Sequence, residues 1–353
     1  MASELAAALS DRGHQVHVVA EKKPLRLRSH TRVSFHPFEV FDYPLFPVPP
    51  HDLCLITKLT DLCQEFKPHI IHAHYAVPHA LAALIAREAA SCRNTGLVTT
   101  LHGTDVTLVG SHPSFYTLTK YAMERADCVT VVSSWLLKKT AETFHLKRKP
   151  VVIPNFVNPA EFHSHGRVGY PEGEPFELVH ASNFRPVKRV TDIVRAFHLI
   201  SQEVPARLTL VGDGPDSGAA RELVAELGLT DRVRFPGPAP TLGSLFRESH
   251  LYLLLSDYES FGVSALEAMA CGVPCVVSNA GGLPEVVRSG ETGFLCRVGD
   301  FRCAARQALR IIKDRATWER MSEAASKWAH AAFSVSSIIP RYEELYRSLI
   351  GSV

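Results

Sequence analysis

The chain has 353 residues, 46% of them hydrophobic and 21% charged, and a net charge of +2 with histidine neutral. That is the balance of a globular chain of two domains of about 150–200 residues each, and it excludes the strongly basic surface that bulk nucleic-acid binding needs. There is neither a signal-peptide core nor an apolar run of about eighteen residues, so the expectation is a cytoplasmic protein without stable membrane insertion. Eight cysteines are scattered with no C-x-x-C pair, and Cys271 and Cys275 read as core thiols.

Strand and helix alternate from end to end, which predicts parallel sheets covered by helices. Residues 2–12 read as a helix with Leu5 and Leu9 on one face, stopped by Gly13, and strands follow at 15–20 and 32–39. A Pro-rich loop at 41–50 leads to a helix at 52–66, then to a strand at 69–74 that ends in Tyr75. Pro78 opens a helix to about residue 90, and a strand at 97–101 carries His102-Gly103-Thr104-Asp105 at its end. A helix at 114–125, a strand at 128–132, a helix at 134–144 and a strand at 150–154 complete the first series.

Residues 155–175 are rich in Asn, Pro, Gly and His, lack periodicity, and read as an interdomain linker. The second series has strands at 176–181, 207–211, 233–235, 251–255, 275–278 and 293–296. Its helices are expected to begin near Lys188, Ser217, Thr241, Phe261, Leu283 and Phe301, and from Thr317 the chain reads as helical with a break at Pro340. A doubly wound domain begins on a strand and a glycine-rich turn, and neither precedes the first helix here. The expectation is that the first strand is missing, either because the true start lies upstream of Met1 or because the chain is truncated.

In doubly wound folds ligands sit at the carboxyl ends of the strands, and the motifs cluster there. The densest is the stretch from Asp257 to Pro274. Glu259 falls in the loop after a buried strand, Glu267 falls eight positions on and about two turns inside the next helix, and Phe261, Gly262 and Val263 lie between them at the helix start. Either acid alone would be an ordinary solvated side chain. Backbone N–H groups at a helix start flanked by two carboxylates instead suit a nucleotide-sugar, with diphosphate on the amides and hydroxyls on the acids. Arg185 and Lys188, in Ser182-Asn183-Phe184-Arg185-Pro186-Val187-Lys188-Arg189, supply cations for a leaving diphosphate. Gly212 in Gly-Asp-Gly-Pro and the Gly281-Gly282 pair are turns at strand ends where a backbone can approach a ligand. In the first half, His102 could exchange a hydrogen bond with a sugar, with Asp105 close by. His72 and His74 share one strand face and read as cleft-lining or core residues, since no third metal ligand stands at a sensible spacing. No Asp-x-Asp occurs, so protein cations and backbone, not a metal, are expected to hold the diphosphate.

The Glu259-to-Pro274 segment with Gly281-Gly282-x-Pro284-Glu285 resembles the retaining glycosyltransferases of family 4, with their E-x7-E motif, over nearly the whole chain. The resemblance implies the GT-B fold, two Rossmann-like doubly wound domains facing across a cleft. It places an acceptor-side domain at 1–155, the linker at 156–175, a nucleotide-sugar domain at 176–332 and a terminal helix at 333–353 returning to the first domain. Three segments, beginning at His72, Thr99 and Ser182, resemble family members of bacillithiol biosynthesis that move GlcNAc from UDP-GlcNAc to L-malate with retention. By that resemblance His102, Lys188 and Glu259 are the catalytic set. Arg185, Asn183, Gly212, Phe261, Gly262, Val263 and Glu267 bind the donor, with Glu267 on the ribose diol, and Tyr75 and Thr100 line the acceptor side. No cofactor or metal is implied, and a homo-oligomer is left open. The alternatives are a family 4 enzyme with another sugar or acceptor, a lipid included, or a truncated nucleotide-sugar-binding protein without turnover.

Overall fold

The computed structural model describes residues 1–27, 29–41 and 48–350, so the middle of the Pro-rich loop read at 41–50 lies outside the described residues. The chain forms two compact units, Met1–Pro154 with Ser336–Val353, and Asn155–Val335.

The first unit runs α1 (Ala2–Asp11), β1 (Val16–Ala20), β2 (Val33–Pro37), α2 (His51–Phe66) and β3 (Ile70–His74). A single wide turn, Ala76–Ala80, enters α3 (Leu81–Ala89), followed by β4 (Gly96–Leu101), α4 (Thr104–Thr107), α5 (Pro113–Arg125), β5 (Cys128–Val131), α6 (Ser134–Phe144) and β6 (Val151–Val152). β1 and β2 pair in parallel as one two-stranded sheet, and β3-β4-β5-β6 form a second, also parallel. β4 is buried along its whole length, which is why its apolar run shows no alternation. Ser133 caps α6 by accepting from Leu136 N at 3.0 Å.

The second unit begins with β7 (Phe176–Ala181), a 3₁₀ turn at Pro186–Lys188, α7 (Val190–Ser201), β8 (Ala206–Val211), α8 (Ser217–Glu226) and β9 (Val233–Gly237). It continues through α9 (Gly243–Arg247), β10 (Leu251–Leu254), α10 (Val263–Ala270), β11 (Cys275–Ser278), α11 (Leu283–Val286), β12 (Gly293–Cys296), α12 (Phe301–Ile312) and α13 (Arg315–Phe333). One six-stranded parallel sheet has the order β12-β11-β10-β7-β8-β9. The chain winds from β7 to one edge and then from β10 to the other, so the winding direction reverses between β7 and β10. Leu178, Ile193, Phe197, Leu208, Leu253, Val276, Ile311 and Trp318 belong to one continuous core around this sheet. α14 (Val335–Ile350) then closes the chain, its residues from Ser336 packing in the first unit. Among the described residues no helix is long and apolar enough to cross a membrane.

Several expectations need correction. The terminal helical stretch breaks at Ser334, which is extended and bridges to Val157, and not at Pro340. Pro340 lies inside α14, where its ring costs one backbone bond but burial of Ile338, Ile339 and Tyr342 carries the helix through it. The helix expected near Lys188 starts at Val190, that expected near Phe261 starts at Val263, and that near Thr241 starts at Gly243. The stretch 156–175 is not a free connector. It lies within the second unit, where Arg167 donates to Gly272 O at 3.1 Å and stacks over the Trp318 ring, and Tyr170 donates to Ile312 O at 2.7 Å.

Candidate active site

The reversal between β7 and β10 leaves a crevice at the carboxyl ends of those strands, the place where doubly wound sheets take ligands. The loops that leave the two strands meet there. Asp257 N donates to Val187 O at 2.8 Å, and Arg189 bridges Asp192 of α7 (Nη2 at 2.6 Å) and Asp257 (Nη1 at 3.0 Å). That clasp brings Lys188 and Glu259 together: Lys188 Nζ donates to Glu259 Oε1 at 2.5 Å, and each side chain is only 14% exposed. Ser256, fully buried, donates from Oγ to the same carboxylate oxygen at 2.8 Å.

Glycine geometry sets how closely these loops pack. At Gly281, φ is +63°, and a Cβ there would run into the Glu259 backbone, while Gly282 N donates to Glu259 O at 2.7 Å. At Gly212, φ is +121°, and a Cβ would meet the Ser182 carbonyl, so only glycine lets the β8 loop lie against the β7 loop. Behind them His180, fully buried, bonds Leu253 O through Nδ1 and Ser182 Oγ through Nε2, each at 2.8 Å. A carbonyl only accepts, so Nδ1 carries the proton, and burial pushes the imidazole pKa down to about 4.

α10 begins behind this pair. Gly262 is its N-cap residue, and the first-turn N–H groups have no carbonyl one turn earlier to bond. Phe261 is buried edge-on against Phe333, so it offers the site only its backbone. Glu267 is the fifth residue of α10, about one turn inside rather than two, and is 4% exposed. Arg185 stands at the outer side, its Nε donating to Asn183 Oδ1 at 3.4 Å, and Asn183 is exposed.

In the first unit, the carboxyl ends of β3 and β4 carry a row of imidazoles. His72, His74 and His102 stack in sequence, with ring centroids 4.6 Å apart for the first pair and 5.1 Å for the second. His74 Nδ1 and His102 Nε2 share a hydrogen bond at 2.8 Å. His72 is pinned at both nitrogens, by Tyr346 OH at 2.7 Å and Thr100 Oγ1 at 2.6 Å. Burial lowers the pKa of His72 to about 3 and that of His102 to about 4, and drives His74 down as well, so the row is neutral at ordinary pH. Asp105 is 3% exposed, and its Oδ1 accepts from His102 N at 3.1 Å and Gly103 N at 2.9 Å. Burial outweighs those bonds and pushes its pKa up to about 6. Tyr75 has φ of +79° and its ring lies 5.2 Å from His102.

Two family models cover the chain, "Glycosyltransferase Family 4" over residues 1–161 and "Glycosyl transferases group 1" over 166–328. The N-acetyl-alpha-D-glucosaminyl L-malate synthase of Bacillus anthracis is 40% identical over 99% of this chain and 93% of that relative. The chain belongs to the family 4 glycosyltransferases. The solved sucrose-phosphate synthase of Thermosynechococcus elongatus matches this glycosyltransferase with a TM-score of 0.81 at 23% identity, over 99% of this chain and 92% of that one. Anabaena HepE, solved in complex with UDP and glucose, matches at 0.80 with 21% identity, over 98% and 96%. These likenesses establish the fold, two parallel-sheet α/β domains of the GT-B class.

Of the residues read from the sequence, the glycosyltransferase fold gathers Lys188, Glu259, Gly212, Phe261, Gly262 and Val263 around the β7/β10 crevice, with Arg185 and Asn183 at its edge. His102 and Tyr75 come together in the first unit. Thr100 does not present its hydroxyl: it is 1% exposed and its Oγ1 is taken up by His72 and Thr130, because the β4 position that carries it points into the sheet packing. Sequence reading missed Ser256, Arg189 with Asp257, and His180. The signal for Arg189 was available, since it directly follows Lys188 at the same strand end. Tyr346, 274 positions from its partner His72, left no local signal at all.

Proposed function

We propose that this glycosyltransferase moves GlcNAc from UDP-GlcNAc to the hydroxyl of L-malate with retention at the anomeric carbon, the opening step of bacillithiol synthesis. The observation that carries the reading is the 40% identity to a GlcNAc-malate synthase across nearly the full length of both chains. In this reading Lys188, assisted by Arg185, neutralises the diphosphate as the glycosidic bond breaks, since charge that develops in the transition state needs a fixed opposite charge. The first-turn amides of α10 take phosphate oxygens. Glu267, buried about one turn inside α10, is the carboxylate that takes the ribose diol. Glu259 takes sugar hydroxyls, and His102, neutral and fixed by His74 and Asp105, contacts the sugar near the reacting carbon. Glu259 is tied up by Lys188 and Ser256, an arrangement that suits binding better than nucleophilic attack. Malate therefore attacks from the face that UDP leaves, through a short-lived oxocarbenium-like state, with the departing diphosphate taking the malate proton. Protein cations fill the place of a metal, so chelator should leave the rate unchanged.

Incubation with UDP-GlcNAc and L-malate, followed by mass detection of UDP and GlcNAc-malate, tests the reading. Product with malate but not with glycerol or inositol supports it. Transfer to another acceptor alone moves the chain elsewhere in family 4, and UDP-GlcNAc binding without transfer to any acceptor leaves a binding protein.

A further inference from the structure

Glu259 is read as a ligand of the donor sugar, yet its carboxylate is already engaged. Oε1 accepts from Lys188 Nζ at 2.5 Å and from Ser256 Oγ at 2.8 Å. The main chain on both sides of this contact is fixed. Gly282 N holds Glu259 O at 2.7 Å, Lys188 N donates to Arg185 O at 2.7 Å, and Arg189 pins the Lys188 turn to Asp257. The two side chains can therefore swing while their anchors stay in place. A lysine ammonium is a compact point charge on a flexible stem, able to serve a carboxylate or a phosphate. In a site where both partners are 14% exposed, little water is at hand to replace whichever one it leaves.

We propose that the Lys188–Glu259 pair is an exchange contact through which the diphosphate unlocks sugar recognition. The incoming diphosphate draws Lys188 away, and Glu259, still steadied by Ser256, is freed to turn toward the hydroxyls of the donor sugar. The inference rests on the donor reading of the proposed function and adds an order to it: phosphate first, sugar second. It also explains the tight packing around Ser256. That residue is fully buried and cannot reach a ligand, so it acts as a positioning residue that keeps the released carboxylate from swinging away. When UDP departs the pair re-forms, which works against retention of the spent nucleotide.

UDP is the discriminating probe, because it carries the diphosphate and no sugar. Calorimetric titration of the full chain should show Glu259→Gln binding UDP about tenfold more tightly than the wild type, since no ion pair must be broken. In a Lys188→Met background the same Glu259→Gln change should give a gain several-fold smaller, because only charge repulsion is relieved there. Equal gains in the two backgrounds, or no gain with Lys188 present, overturn the exchange. If Glu259→Gln fails to fold, Glu259→Asp, which withdraws the carboxylate from Lys188, carries the same comparison. Ser256→Ala should lower kcat for transfer while UDP affinity stays within about twofold, and Ser256→Thr should restore it. An equal fall in UDP affinity removes the positioning role. A wild-type chain that binds no UDP overturns the donor reading itself, and the exchange with it.

Discussion

The second unit holds its candidate groups with ion pairs and backbone clasps around one sheet, whereas the first holds them with neutral imidazoles stacked across a strand pair. Lys188, Arg189, Asp257 and Glu259 are full charges brought together by two loops that leave adjacent strands. His72, His74 and His102 are kept uncharged by burial, and their order comes from Tyr346 and Thr100 bonding the far end of the row. The two halves should therefore fail differently. Damage in the second unit should appear as lost affinity for phosphate. Damage in the first should appear as a changed response to pH and a lower turnover.

The largest effect is expected of Lys188→Met, which should lower kcat/KM for UDP-GlcNAc on the order of 100- to 1000-fold if its ammonium neutralises the departing diphosphate as proposed. Arg185→Ala, at the outer edge and loosely held, should cost only about tenfold, and equal losses for the two would remove the distinction drawn between them. Next comes Gly281→Ala. A methyl there meets the Glu259 backbone at a positive φ, so the variant should lose about 2–3 kcal/mol of stability in denaturant melts. A near-neutral result would mean that this loop yields more readily than its packing indicates. Arg189→Ala should be milder, lowering kcat and raising KM for the donor together by about tenfold, because it loosens the clasp without removing a ligand contact.

The smallest expected effect lies in the first unit. His72 and His102 have folded-state pKa values lowered to about 3 and about 4, against the ordinary 6.5. Between those limits the unfolded chain binds protons that the folded chain refuses. The stability from these groups is therefore fully present above pH 6.5 and is lost as pH falls through about 4 for His102 and about 3 for His72. Asp105, raised to about 6, works in the opposite sense: its contribution is full below 3.8 and is lost as pH rises through 6. His72→Gln keeps hydrogen-bonding capacity but cannot be protonated. Its Tm should lie below that of the wild type at pH 7.5, and it should fall less on acidification to pH 5. Asp105 titrates in both proteins and cancels in that difference, so identical slopes would contradict the assignment.

The same contrast decides how much of the molecule could be read from its residues. The strands at Phe176–Ala181, Cys275–Ser278 and Gly293–Cys296 were legible to the residue, because each is a short, mostly apolar and mostly buried run between glycine- and proline-bearing turns. That Lys188 and Glu259 lie close together was legible because each sits in a loop that leaves a strand end of the same sheet. Helix starts were less so. The 3₁₀ turn at Pro186–Lys188 and the Gly262 cap each delay the helix by two residues, and neither alters the periodic pattern that follows. Pro340 misled because a proline inside a helix is a local penalty that tertiary burial can override. The anchoring of His72 by Tyr346 was invisible for the opposite reason: it exists only once α14 has returned to the first unit. Thr100, read as lining an acceptor surface, is instead buried with its hydroxyl bonded to His72 and Thr130, and depth is not encoded in a strand's alternation when both faces are covered.

Proton NMR of the product formed from UDP-GlcNAc and L-malate distinguishes a retaining transfer to malate from every other outcome. One GlcNAc-malate is expected per UDP released, with the anomeric proton showing the small coupling of the α configuration carried over from the donor. A β-linked product, or release of UDP with free GlcNAc and no malate adduct, would contradict it.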